Sequence, residues 1–229
     1  MNELKQDRLE AGFSLVELLI SMSLTLMIAG IASTLVAQSF HLRAREDTRA
    51  DAIADAQRAL NIVARELANS GFGLVDNGIV ASDTGTTSIR CRANLNAYTL
   101  DGAGTPVAGS TTVSESDEDI RYSMYNDTAA NRHYLVRYDV ILGAPDPRLG
   151  TTVLANRIDS FQLNYFDANG TELNVASTPA SVSNAWKIRI TIGVNLPAEG
   201  APNSPGYQPP STVQLVSDVV LRNASQLTY

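Results

Sequence analysis

The stretch Gly12-Phe13-Ser14-Leu15-Val16-Glu17 runs directly into Leu18–Ala37, LLISMSLTLMIAGIASTLVA, twenty consecutive residues without a charge. At a rise of 1.5 Å per residue, about twenty helical residues cross the ~30 Å hydrocarbon layer of a bilayer. A run this apolar predicts a membrane helix. The one acid at its edge, Glu17, is costly there, and an ionisable group at a membrane boundary marks a functional position.

Three readings compete for this segment. A secretory signal peptide has a basic start and an apolar stretch of 7–15 residues. Here the run is longer, Glu17 interrupts its start, and Lys5 and Arg8 are outnumbered by Glu3, Asp7 and Glu10. A plain single-span anchor explains the apolar run but neither Gly12 nor Glu17. The third reading accounts for both. Gly12-Phe13-Ser14-Leu15-Val16-Glu17-Leu18-Leu19 resembles the class III signal of type IV pilins and type II secretion pseudopilins: a glycine, an aromatic first mature residue, a glutamate at the fifth mature position, then a long apolar stretch.

That resemblance implies a leader over residues 1–12, cleavage between Gly12 and Phe13 by a prepilin peptidase, and N-methylation of Phe13. It gives Glu17 an assembly role. The amine freed at Phe13 is cationic, and pairing with the Glu17 carboxylate of a neighbouring subunit offsets the desolvation of both groups. The sequence departs from the family in its leader, which is not basic. Arg43, Arg45 and Arg49 follow the span, so the balance of positive charge does not set the orientation. Many major pilins carry a proline in the membrane half of the helix; none occurs here from Phe13 to Ser70, and Gly30 is the single weak helix former in the span.

Beyond the span the helical pattern continues. Ile53, Ala56, Leu60, Val63 and Leu67 recur every three or four residues, with Asp51, Asp55, Arg58, Arg65 and Glu66 largely on other faces. Asn69-Ser70-Gly71-Phe72-Gly73 supplies a stop. The expectation is one helix of about 57 residues, roughly 85 Å long, with residues 13–40 in the membrane or filament core and 41–70 laying an apolar stripe on a head formed by 71–229.

In the head the period changes to two. Strands are predicted over Thr87–Ala93, Glu118–Tyr125, His133–Leu142, Val153–Phe166, Ala185–Leu196 and Thr212–Leu221. Asp167-Ala168-Asn169-Gly170 signals a hairpin turn, with Asn-Gly suited to positive φ. The fold class expected is α+β: a pilin-like lollipop whose long helix packs on a mainly antiparallel sheet. Gln57–Leu60, Ala64–Leu67 and Gly71–Gly73 resemble the helix end of PilW-type minor pilins and of J-type minor pseudopilins. So do Val153–Asp167 and the closing Val220–Asn223.

Composition excludes several functions. Net charge is −7 and no Lys/Arg run occurs, so binding nucleic acid through phosphate neutralisation is not expected. Cys91 is the single cysteine, read as a buried strand residue, and His41 and His133 stand far apart. No Cys/His metal cluster, phosphate loop or nucleophile elbow is present. Enzymatic activity, cofactors and a small-molecule substrate are therefore not expected. In Ser114–Asp119 the acids Asp117 and Asp119 are the nearest thing to calcium ligands, but the order of a calcium loop is missing and the run reads as a solvated loop. The hairpin turn explains Asp167, Asn169 and Glu172 without a metal. Ala198–Pro210, rich in proline and glycine, reads as an exposed loop, and the Asn126, Asn169 and Asn223 sequons read as chance.

The expected role is a minor type IV pilin that joins or primes a pilus, at the inner membrane with its head outside the cytoplasm before assembly, and on the cell surface after it. A minor pseudopilin of a type II secretion system, with a periplasmic pseudopilus, fits the same residues. A membrane-anchored adhesive domain is the alternative of another class. The expected partners are prepilin peptidase and other pilin or pseudopilin subunits.

Overall fold

The computed structural model of the protein describes residues 14–109, 112–129, 132–144, 146–156, 158–203 and 207–223. Helix α1 spans Leu15–Ala68, 54 residues without a break. The chain divides into two compact units, Met1–Asp47 with Gly200–Tyr207, and Thr48–Glu199 with Gln208–Tyr229. In the first, the helix is exposed along nearly all of its length. In the second, it turns Ala52, Ala56, Ala59, Leu60, Val63 and Leu67 into a core. Spacings of three and four keep these on one face, and three alanines in the first two turns allow close approach. Ile53, expected in this stripe, is only half-buried; Ala52 takes the inward place.

The helix stops as its sequence dictates. Gly71 has φ +80, a left-handed conformation that spares glycine the Cβ penalty. Among the helix's last carbonyls, Glu66 O and Leu67 O accept from Asn69 N–H and Ser70 N–H, and the end beyond them is met from a segment far along the sequence. Arg222 N–H donates to Ala68 O at 3.4 Å, and Asn223 Nδ2 donates to Ser70 O at 3.2 Å.

The second unit holds two four-stranded antiparallel sheets and a small ribbon. The first sheet has the order β1 (Ser88–Arg92), β4 (Asp119–Asp127), β5 (Arg132–Asp139), β6 (Thr151–Ala155). The second has β10 (Ser211–Val220), β9 (Lys187–Leu196), β7 (Ser160–Phe166), β8 (Glu172–Leu173). The ribbon pairs β2 (Tyr98–Leu100) with β3 (Pro106–Ala108), neither of which was among the strands expected. Ile188, Ile190, Ile192 and Val194 of β9 join Phe161, Leu163 and Tyr165 of β7, Ile89 and Cys91 of β1, and Ile120 and Tyr122 of β4 in one cluster with the helix residues. The α+β class and the antiparallel pairing agree with expectation; the number of sheets does not.

The division falls where a single strand was expected. Val153–Phe166 is two strands, one in each sheet. The register runs Leu135 to Ala155 and Val136 to Val153, which leaves Leu154 as an extra residue. Such a bulge flips the inward face, so Val153 points outward while Ala155 points in. The apolar phase of Ala155, Phe161, Leu163 and Tyr165 continues across the crossing, which hides it from a periodicity argument. The hairpin at 167–170 forms, but not around an Asn-Gly pair at positive φ. Only Gly170 is left-handed, at φ +81, Gly170 N–H donates to Asp167 O, and Asp167 N–H donates to Thr171 O. This is a type I turn closed by a glycine bulge.

Cys91 lies in β1 and is buried. Burial, with smaller contributions from Glu66 and Asp119, pushes its thiol up to about 12. An unfolded cysteine ionises near about 8.5, so above that pH the unfolded state releases a proton the folded state keeps, and stability falls as pH rises toward 12. The thiol of the full chain in detergent is expected to resist Ellman's reagent at pH 8 until denaturant is added; prompt native labelling would contradict its burial.

Candidate functional site: an apolar helix led by one carboxylate

The N-terminal half of α1 contains an 18-residue window of mean hydropathy 2.1, none of it buried within the protein. Its polar atoms are satisfied locally. Ser21 Oγ donates to Leu18 O at 2.9 Å and Ser23 Oγ to Ile20 O at 2.9 Å. Thr25 Oγ1 donates to Ser21 O at 2.7 Å, Ser33 Oγ to Ala29 O at 2.8 Å, and Thr34 Oγ1 to Ile31 O at 2.7 Å. Every hydroxyl from Ser21 to Thr34 thus returns to a backbone carbonyl three or four residues earlier. That is what a bilayer requires, since no water there can replace a missing bond. A Cβ added at Gly30 would meet nothing within 4 Å, so the chain's own packing does not require a glycine there.

Glu17 sits in the first turn of α1, where the unpaired amides of a helix start favour a negative charge. It is exposed, as are its apolar neighbours Leu15, Val16, Leu18 and Leu19. Gly12 and Phe13 lie outside the described residues.

At the other end of the helix a second group of charges emerges, one the sequence reading missed. Glu66 was placed on an outward face. Instead its carboxylate accepts a hydrogen bond from Tyr122 Oη on β4 and pairs with Arg137 Nε on β5 at 3.1 Å. Arg137 Nη2 also holds Asp117 Oδ1 at 2.6 Å. Burial, and then the Glu66 carboxylate, push the Tyr122 phenol well above its usual range. Burial works against the Arg137 charge, but Glu66 and Asp117 outweigh it and hold the guanidinium protonated. The only hint in the sequence was the alternation of β5, which puts Arg137 on the same face as Leu135.

Of the acidic run Ser114–Asp119, read as a solvated loop, Ser114 to Asp117 are exposed as expected, but Glu118 and Asp119 are buried. Glu118 is 2% exposed and Asp119 5%. Glu118 Oε1 accepts from Leu95 N–H and Asn96 N–H, and Oε2 from Ser114 N–H and Glu115 N–H. Burial disfavours its charge, but the four amides outweigh it and keep the carboxyl below its usual range. Asp119 is held by Arg90 Nε at 2.7 Å and Arg92 Nε at 2.9 Å. The two calcium candidates do not converge, because Asp117 turns to Arg137 while Asp119 turns to Arg90 and Arg92. Among the described residues no group of three or more His, Cys, Asp or Glu is placed to hold a metal ion.

Compared with known proteins, residues 7–33 match the family model for the prokaryotic N-terminal methylation motif. No curated protein matches the chain. The motif implies processing by a prepilin peptidase and assembly with other pilin subunits, and the exposed apolar helix is compatible with membrane anchoring. Motif and helix together support a type IV pilin-like or pseudopilin-like protein.

Proposed function

We propose that the chain is a minor type IV pilin, cut between Gly12 and Phe13, N-methylated at Phe13, and incorporated into a pilus or used to prime its assembly. The observation that carries this reading is the register of the methylation motif at 7–33 with the unbroken helix Leu15–Ala68. Support for a minor, PilW-like subunit comes from two segments with that resemblance, the helix end and Val220–Asn223, which hydrogen-bond to each other. In this reading residues 13–40 anchor and assemble, 41–70 carry the head, and Glu17 pairs with the Phe13 amine of an adjacent subunit. Removing a buried partner of an ion pair leaves the other charge unmatched, at a cost of about 3–5 kcal/mol.

Mass spectrometry of the native N-terminus tests processing: a methylated Phe13 is expected, and an N-terminus at Met1 or Gln38 would overturn it. Glu17→Ala is expected to remove the protein from sheared pili while leaving the cut, membrane-held form. Normal incorporation of that variant would end the pairing role. Co-purification with secretion-system subunits instead of pili would make the chain a minor pseudopilin. Uncut protein confined to the membrane would point to an anchored adhesive domain.

A further inference from the structure

We infer that the outward face of β4, β5 and β6 is a binding site for an acidic saccharide, a pyranose bearing a carboxylate. A recess of about 580 Å³ opens on this face, and no Asp or Glu lines it. Tyr125 and Tyr134, opposite each other in the ladder, stand with ring centroids 6.3 Å apart and planes tilted by 31°. Tyr125 is 59% exposed. Together they form a shallow aromatic wall, apolar on its faces and hydroxylated at its rim.

Beside that wall lies Arg121, its guanidinium carbon 5.2 Å from the centre of the Tyr138 ring. Its Nε is buried and has no hydrogen-bond partner. The neighbouring arginines differ: Arg90 and Arg92 hold Asp119, and Arg137 holds Glu66 and Asp117. Among the described residues Arg121 alone of these four holds no carboxylate, in a protein of net charge −7. A guanidinium fork matches a carboxylate in two parallel hydrogen bonds.

The ladder decides between a saccharide and a peptide. β4 pairs on both sides, with β1 and β5, and β5 with β4 and β6. The main-chain groups of β4 and β5, the strands that carry Arg121 and both tyrosines, are thus committed within the sheet, so a peptide laid across them finds none to pair with; strand addition needs a free edge, which on this face only β6 offers. A saccharide brings its own hydroxyls for Ser123, Thr151 and the phenols, a C–H face for the tyrosine rings, and a carboxylate for Arg121. The volume lies within the usual range for small-molecule sites. This inference goes beyond the subunit role and does not depend on it.

The test is calorimetric titration of the full chain in detergent micelles with trigalacturonate, using maltotriose as a trisaccharide without carboxylates. Saturable binding of trigalacturonate is expected, weakened at least about tenfold by Arg121→Gln and by Tyr125→Ala, with maltotriose at least about tenfold weaker. Tyr125→Ala alters an exposed side chain and decides the matter if Arg121→Gln does not fold. No saturable binding, equal binding of maltotriose, or variants that bind like the wild type would overturn the proposal. Tighter binding of hexaglutamate would assign the face to an acidic protein partner and overturn it as well.

Discussion

Replacing Glu66 by alanine is expected to lower the unfolding free energy of the head by about 3 kcal/mol, near the lower end for breaking a largely buried ion pair. The substitution removes the acceptor of Tyr122 Oη and one of the two carboxylates on Arg137. Arg137 keeps Asp117, which is 60% exposed and well solvated, so the loss stays short of a fully stranded charge. For a domain of this size the melting temperature is expected to fall by about 6–12 °C, measured on the full chain in detergent. Glu66→Gln retains an acceptor for Tyr122 and is expected to recover part of that loss. Equal stability of the alanine variant and the wild type would show that apolar contacts alone join the helix to the first sheet. A Glu66/Arg137 double-mutant cycle separates the pair from the packing around it.

The second large effect belongs to Glu118. Its carboxylate gathers four backbone amides from two segments, Leu95–Asn96 and Ser114–Glu115. Alanine there strands those donors where little water reaches, and a loss of about 2–4 kcal/mol is expected from unmet hydrogen bonds to a charged group. The pH dependence has a definite sign. The folded-state carboxyl titrates below its usual value, so this stability is fully present above about pH 4.3 and is lost as pH falls through the lower folded value. Acid unfolding of the wild type should therefore steepen below pH ~4, and Glu118→Ala should flatten that limb. An unchanged acid limb in the variant would remove Glu118 from the account.

Several features were legible in the sequence because they are local. The uncharged run Leu18–Ala37, the apolar spacing from Ala56 to Leu67 and the glycines after Ser70 each follow from residues within a few turns of one another. So do most strands, since alternation along one segment is enough to name it. What escaped depends on partners far along the chain. Glu66 meets Tyr122 across 56 residues and Arg137 across 71, and no spacing rule connects them. The run Ser114–Asp119 looked like surface because all six of its residues are acids or serines. Only the fold supplies the amides and guanidiniums that make burial of Glu118 and Asp119 affordable. The break between β6 and β7 was hidden for a similar reason: a bulge at Leu154 changes the face while the apolar phase continues.

By itself, then, the sequence determined the N-terminal chemistry: a methylation motif in register with a helix whose length and apolarity suit a bilayer. Those properties are written in consecutive residues, and a helix in hydrocarbon satisfies its backbone without outside help. The tertiary structure alone decided that the head holds two four-stranded sheets, that Glu66, Glu118 and Asp119 are bound internally, and that Arg121 stands beside a wall of tyrosines without a carboxylate among the described residues. Each of these depends on which distant residues become neighbours, and it is that proximity which makes a charge paired or unpaired.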